Sequence, residues 1–562
     1  MKIALVQQNY HIGNFESNTE KIIRGIQAAK EGGADLAVFS EMSVCGYPPR
    51  DFLEFDDFQT RCYASIDAIK PYSSGIGVIV GSPAANQYAK GKKLFNAAWF
   101  LHDNEVKAIA HKTCLPTYDI FDENRYFEPG FEWNVIEFHG KRIALTICED
   151  IWNLGDNPLY LSCPMDQLMP QQPDLMINIS ASPFDYDHEE DRRAVVRQNV
   201  LKYKLPMYYC NAVGSQTELI FDGGSVVYDA HGNCTHHLKV FEEDFQIIDT
   251  EIKYRPVNKH LPLFTSASVL KPDEIIPYLT RRSNIREIHD ALLLGIRDYF
   301  GKMGFHKAIL GSSGGIDSAV TLALACRALG SDNVRAVAMP SGFSSGHSVE
   351  DARSLSKNLN NPFDIIPIQP VYESFLSTLK PIFKELPFSV AEENIQSRTR
   401  GNLLMAIANK FGYILLNTSN KSELSTGYGT LYGDMAGGLS VIGDLYKMQV
   451  YALARYINQD EEIIPFPILN KAPSAELRPD QKDSDSLPEY DLLDKILYMY
   501  IERRQGPREI IAMGVDEALV DRVLKLVNTS EYKRNQFCPI IRVSSKAFGM
   551  GRRMPIVGKY LS

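Results

Sequence analysis

The stretch 308-AILGSSGGIDSAVTLALACRALG-330, followed by 334-VRAVAMP-340, constrains the fold of this chain more than any other. An apolar strand, a glycine-serine turn, an apolar helix and a second strand in close order require parallel strands joined by a right-handed crossover. A later run, 412-GYILLN-417, extends the same sheet. The first half is also strand-rich, with IALVQ, LAVFS, GVIVG, IALTIC, LMINIS and MYYCNAV separated by helix-like segments such as 16-ESNTEKIIRGIQAAKEGGA-34. Both halves are therefore expected to be α/β.

A chain of 562 residues exceeds one ordinary core, so two or three domains are expected. The proline- and charge-rich run 254–278 separates them: a first domain over 1–255, a linker over 256–283 lying on a surface, and a second domain over 284–562 that opens with the amphipathic helix 284–304. The polar, acidic segment 473–491 reads either as a loop over a site or as a solvated excursion.

Charge and composition exclude several functions. A net charge of −10 argues against broad nucleic-acid binding. No run approaches the roughly 18 apolar residues of a membrane span. The start, MKIALVQQN, lacks a signal-peptide pattern, which points to the cytoplasm. Nine cysteines without a C-x-x-C pair fit reduced thiols and give no zinc pattern; His236 and His237, beside Cys234, read as loop residues.

Three strands in the first half run out into reactive residues: LAVFSE at Glu41, AIAHK at Lys112 and IALTIC at Cys148. Alone, Cys148 in an apolar run reads as core packing, and Glu41 and Lys112 as strand-end charges. Together they supply a base, a cation for an oxyanion and a nucleophile, gathered where α/β sheets place reactive groups. The surrounding segments 38-VFSEMSVCGYPP-49, 112-KTCLPTYDIFDENRYFEPG-130 and 145-LTICEDIW-152 resemble the nitrilase, or carbon–nitrogen hydrolase, family. The resemblance implies a four-layer α-β-β-α sandwich with a Glu41, Lys112, Cys148 triad. It also implies that Glu123 orients the site and that the backbone N–H of Glu149 helps hold the oxyanion. In the glutamine-hydrolysing branch it implies substrate contacts from Tyr118, Ser182 and the position of His188. A Lys or Arg is usual at that last position, so His188 or the nearby Arg192 is the expected grip on the glutamine carboxylate.

In the second half, 311-GSSGGIDSA-319 opens a helix. Gly314 and Gly315 let the backbone approach an anion, and N–H groups at the helix start point at it. Similar turns also join strands to helices without binding anything. The loop is not a Walker A motif, since it lacks G-x-x-x-x-G-K-[ST]. It resembles the pyrophosphate loop of ATP pyrophosphatases, which implies a Rossmann-like parallel-sheet domain. The segments 393-ENIQSRTRGNLLMAIAN-409, 417-NTSNKSELSTGYGTLYGDMAGG-438, 443-GDLYKMQVYALAR-455, 473-PSAELRP-479 and 530-SEYKRNQ-536 narrow the resemblance to the NAD synthetase family. It implies ATP contacts from Gly311, Ser312, Ser313, Gly314, Gly315, Ile316, Asp317 and Ser318, and from Thr418, Lys447 and Ser474. It also implies Mg²⁺ on Asp317 and Glu423, and deamido-NAD contacts from Asn394, Glu423, Asp434 and Lys533. The segment 551-GRRMPI-556 is a weaker candidate for an anion contact.

Joined, the resemblances imply ATP-dependent amidation of deamido-NAD with ammonia from glutamine, in a homo-oligomer. Two alternatives stay open: another adenylated acceptor, or a catalytically silent first domain that docks subunits.

Overall fold

The computed structural model describes residues 1–560 except 89, 155–158, 187, 253, 256–269, 475 and 479–480, with the His188 side chain also outside the described set. The chain divides into two compact units, Met1–Ser268 and Val269–Ser562.

The first unit holds two six-stranded sheets. One contains β1 (Lys2–Gln7), β2 (Leu36–Phe39), β3 (Gly77–Ala85), β4 (Leu94–His102) and β5 (Glu105–His111) in that order, with β14 (Asp244–Asp249) outside β1. The other contains β6 (Ile136–Phe138), β7 (Lys141–Ile147), β8 (Leu175–Ser180), β9 (Met207–Asn211), β12 (Val226–Tyr228) and β13 (Cys234–His237), again in that order; β10 (Val213–Gln216) and β11 (Leu219–Asp222) form a separate hairpin.

Strand periodicity of two sorts their side chains between layers. Ile3, Leu5 and Val38 of the first sheet pack on Leu145, Ile177 and Cys210 of the second. Ala4, Val6 and Phe39 face outward onto Ile22 and Ile26 of helix Phe15–Glu31 and Ile66 of helix Asp56–Ile69. Ala144, Met176 and Tyr209 do the same against Val195 and Val200 of helix His188–Tyr203. The result is the expected α-β-β-α sandwich. His236 and His237 differ from the sequence reading: they lie in edge strand β13, because each pairs with a residue of β12.

In the second unit, β15 (Ala308–Gly311), β16 (Val334–Ala338), β17 (Phe363–Ile365), β18 (Ile414–Asn417) and β19 (Leu439–Ser440) form one parallel sheet of order β17-β16-β15-β18-β19. Successive strands are added on one side of β15 and then, from β18, on the other, and this switch in strand order between β15 and β18 opens a crevice at the strands' carboxyl ends. Helix Val390–Phe411, started by the reciprocal Ser389–Glu392 capping box, sends Leu404 and Ala408 into the core beside Ile309, Val337 and Leu415.

The expected linker over 256–283 is partly helical where it is described. Residues Pro272–Leu279 form a helix with proline at its first position and Ile275 and Leu279 buried, and helix Arg282–Met303 begins three residues later. The apolar side of this short helix, masked in the sequence by its prolines and charges, is packed rather than exposed. The remainder, 256–269, lies outside the described residues.

Candidate functional sites

In the first unit the ends of three strands converge. Glu41 follows β2, Lys112 follows β5 and Cys148 follows β7. Lys112 Nζ lies 2.8 Å from Glu41 Oε1 and 2.8 Å from Glu123 Oε1, with Lys112 fully buried. Glu41 Oε2 also accepts the Ala181 N–H at 2.8 Å, and Glu123 Oε1 accepts the Tyr47 hydroxyl at 2.7 Å. Gly81 on β3 permits this approach: a Cβ there would sit 2.3 Å from the Met42 nitrogen. Breaking such a buried pair by deleting one partner costs about 3–5 kcal/mol, since a charge is left uncompensated.

Cys148 occupies the left-handed region, at φ 44°, as the first residue of a 3₁₀ turn. A non-glycine residue there is strained, and the turn aims the thiol out of the strand. Asp150 fastens that turn. Its Oδ2 accepts the Ile147 N–H at 3.0 Å, while Oδ1 accepts the N–H groups of Thr113 and Cys114 at 3.0 and 2.8 Å. Burial and the Glu41 charge hold the Cys148 thiol well above its ordinary range, with Lys112 opposing them. The resting nucleophile is thus a thiol, whose proton must leave as attack begins.

Of the expected glutamine contacts, Tyr118 and Ser182 sit beside this centre. The Tyr118 hydroxyl donates to both Glu149 oxygens at 3.0 Å, and Ser182 adjoins the Ala181 amide that holds Glu41. The His188 side chain lies outside the described residues. Arg192, the alternative grip, is buried and bound through two nitrogens to Asp222, at 2.8 and 2.6 Å. Sequence reasoning missed Tyr160, which also donates to Glu149 at 3.0 Å, and it missed the importance of the Glu149 carboxyl itself. Burial pushes that group up to about 7, with Lys112 and the two tyrosines pulling it down.

In the second unit the crevice at the switch in strand order is a cavity of about 470 Å³. Gly311, Ser312, Ser313, Gly315, Ile316, Asp317 and Ser318 of the loop line it, and so do Thr418, Lys447, Ser474, Asn394, Glu423, Asp434 and Lys533. Gly314 stands behind this wall. At φ +75°, a Cβ on it would lie 2.2 Å from the Ser348 carbonyl oxygen, so its glycine character serves packing against helix Gly346–Leu359.

Asp317 accepts from Asn420 at 2.9 Å and pairs with Lys447 at 2.5 Å; Glu423 lies 3.7 Å from the same lysine. Burial and the Asp317 charge push Glu423 up to about 8. Lys533 donates to the Gly427 and Gly429 carbonyls, each at 2.7 Å, and burial lowers it from its ordinary value. The sequence did not single out Arg400, Lys471 or Glu476, which also line the cavity; all three lie within or next to the quoted motifs. The expected anion contact in 551–556 does not extend to Arg552, which is turned inward onto Glu531 at 2.8 Å.

These buried carboxyls set a pH dependence. A carboxyl raised in the folded state stabilises the fold while protonated, fully below its unfolded value, and loses that contribution as pH rises through the folded value. Glu149 and Asp494 of helix Tyr490–Leu497, each at about 7, and Glu423, at about 8, place the loss between about pH 4, the ordinary carboxyl value, and pH 8, with burial the main cause in each. The ligand-free chain is expected to melt several degrees lower at pH 8.5 than at pH 5.5, at about 2–4 °C for each kcal/mol lost. Calorimetry across that range checks it, and a rising melting temperature would contradict the assignment.

The family model for carbon–nitrogen hydrolase matches residues 2–255, and that for NAD synthase matches residues 288–537. A glutamine-dependent NAD(+) synthetase of Synechocystis sp. is 41% identical over 99% of this chain and 98% of its own length. The protein of that description from Thermotoga maritima is 39% identical over 100% and 99%. Among solved structures, the glutamine-dependent NAD+ synthetase of Acinetobacter baumannii in complex with ADP superposes with a TM-score of 0.75 at 38% identity, covering 99% of this chain and 98% of that one. Carrying both matched domains, and similar to these relatives over nearly its full length, this chain belongs to the family of glutamine-dependent NAD(+) synthetases.

Proposed function

We propose that the chain converts deamido-NAD to NAD, with nitrogen from glutamine and activation by ATP. The observation that carries this reading is that one chain holds both a buried Glu–Lys–Cys centre and a phosphate-loop cavity. At the first site, Glu41 takes the thiol proton as Cys148 Sγ attacks the side-chain amide carbon of glutamine. Lys112 and the Glu149 N–H stabilise the tetrahedral oxyanion. Glu41 then returns the proton to the amide nitrogen, ammonia leaves and a thioester remains. Water deprotonated by Glu41 cleaves the thioester, giving glutamate and the thiol.

At the second site, the nicotinate carboxylate of deamido-NAD attacks the α-phosphorus of ATP, and pyrophosphate leaves. Ammonia attacks the resulting acyl-adenylate, a proton is lost and AMP departs. The 311–318 loop, Thr418, Lys447 and Ser474 hold ATP in this reading, and Asn394, Glu423, Asp434 and Lys533 hold deamido-NAD. The mutual repulsion of Asp317 and Glu423 suits a hard divalent cation, so these two are the Mg²⁺ ligands proposed. When bound, Mg²⁺ supplies charge neutralisation at the phosphates. The reading further includes a homo-oligomer in the cytoplasm, with working domains at 1–255 and 284–562.

Glu149, held by two tyrosine hydroxyls beside the nucleophile, is the proposed partner of the glutamine α-ammonium. An ammonium pairs with the ionised carboxylate, so the KM for glutamine is expected to rise as pH falls below about 7, approaching tenfold per unit. Initial rates from pH 5.5 to 8 measure this; a flat KM argues against the pairing, and Glu149→Gln is expected to flatten it.

The direct test of the whole reading is an assay of glutamine- and ATP-dependent NAD formation from deamido-NAD, counting glutamate, AMP and pyrophosphate. AMP formation with another carboxylate but not with deamido-NAD transfers the activity to a different acceptor.

A further inference from the structure

The thiol centre contains two buried glutamates and a single lysine. Both carboxyls touch the same Nζ at 2.8 Å, so the lysine does not by itself distinguish them. A hydrolytic cycle needs one of the two ionised at the start of each proton abstraction, and two like charges that close disfavour a second ionisation. The asymmetry comes from β4. Asn96, fully buried near the start of that strand, donates Nδ2 to Glu41 Oε1 at 2.6 Å but reaches Glu123 Oε2 only at 3.3 Å. Its backbone carbonyl oxygen accepts the Lys112 backbone N–H at 2.8 Å, so the same residue fixes the backbone from which the lysine projects. Glu41 thereby collects three donors, from Asn96, Lys112 and the Ala181 N–H, spread over both oxygens. Glu123 collects two on one oxygen and the long contact on the other.

We propose that Asn96 is a positioning residue that selects Glu41, rather than Glu123, as the ionised base of the thiol centre. Each carboxyl has three donors, but the Asn96 bond is short to Glu41 and long to Glu123, and a short bond to a charged acceptor is among the stronger ones. Glu123 becomes the glutamate on which a proton is cheapest, in keeping with its raised titration, caused first by burial, then opposed by Lys112 and reinforced by Glu41. The remaining charged and titratable groups facing this centre are Lys112 from the end of β5, Tyr47 from the turn after β2, and Cys148 and Glu149 from the end of β7. Asn96 Oδ1 is buried and has no hydrogen-bond partner among the described residues. Residues kept for packing alone seldom leave a polar atom so placed, because an apolar side chain of equal size avoids the desolvation cost.

This inference rests on the glutaminase reading above, and the experiment separates the two. Glutamine hydrolysis is followed as ammonia release from pH 5 to 9 in the full-length parent, in Asn96→Leu, which removes the donor, and in Asn96→Ser, which keeps one. Removing the donor is expected to move the acid limb of kcat, read at saturating glutamine so that the Glu149 effect on KM drops out, upward by about one to two pH units, the equivalent of one bond to a charged acceptor, with the serine variant between. Synthesis from ammonium ion is expected to match the parent. If Asn96→Leu loses its cooperative melting transition, Asn96→Ser carries the test. An acid limb that stays with the parent's, whatever the fall in rate, overturns the selection of the base. A parent that does not hydrolyse glutamine overturns the underlying reading instead.

Discussion

Cys148→Ala lowers glutamine-dependent synthesis by at least about 10⁴-fold and leaves synthesis from ammonium ion within a factor of about two of the parent. The size of the first effect follows from the chemistry: without sulfur no thioester forms, and Glu41 and Lys112 retain only a weak capacity to direct water at the amide. The second follows from placement, since the thiol and the phosphate-loop cavity belong to different compact units. The substitution is also a clean one. The left-handed φ of 44° penalises alanine much as it penalises cysteine, both having a Cβ, so backbone strain at the turn is little changed. Parallel assays with glutamine and with ammonium chloride measure both effects. Equal loss from both nitrogen sources would show that the thiol supports the fold or the synthetase reaction, and equal retention would remove it from catalysis.

Asp317→Asn is expected to have the opposite signature, lowering synthesis from either nitrogen source by about 10³-fold while glutamine hydrolysis continues. The change keeps shape and leaves an oxygen to accept from Asn420, but it removes the negative charge that pairs with Lys447. The lysine then has Glu423 as its only carboxylate within reach in this pair of contacts, and the hard anionic donor facing the loop is gone. Pyrophosphate release in the presence of ATP and deamido-NAD reports the adenylation step directly. Ammonia release from glutamine in the same preparation confirms that the other unit is folded. Unchanged pyrophosphate release would dissociate Asp317 from the phosphates.

Much of this architecture was legible because it is local. Strands that end in a charged or nucleophilic residue announce themselves in a sequence, and so does a glycine-serine turn between a strand and an apolar helix. The members that sequence reading missed lack such a marker. Asn96 sits inside strand β4, where its neighbours in sequence are apolar, and its partners lie 55 and 27 positions away. The Ala181 amide leaves no trace in residue identity at all. Glu149 was read through its backbone because it follows the nucleophile, whereas the tyrosines that give its carboxyl a role arrive from 31 and 11 residues away. Gly314 and Arg192 show a related limit: residue type indicates an available backbone and an available cation, whereas the fold packs the one against Ser348 and pairs the other with Asp222.

The carboxylate of Asp150 has a kinematic consequence. It grips the amide preceding the nucleophile and the two amides that follow Lys112, so the thiol turn and the lysine strand end hang from one peg. Thermal displacement of either is transmitted to the other, and the two are expected to drift in concert, preserving their separation better than their absolute positions.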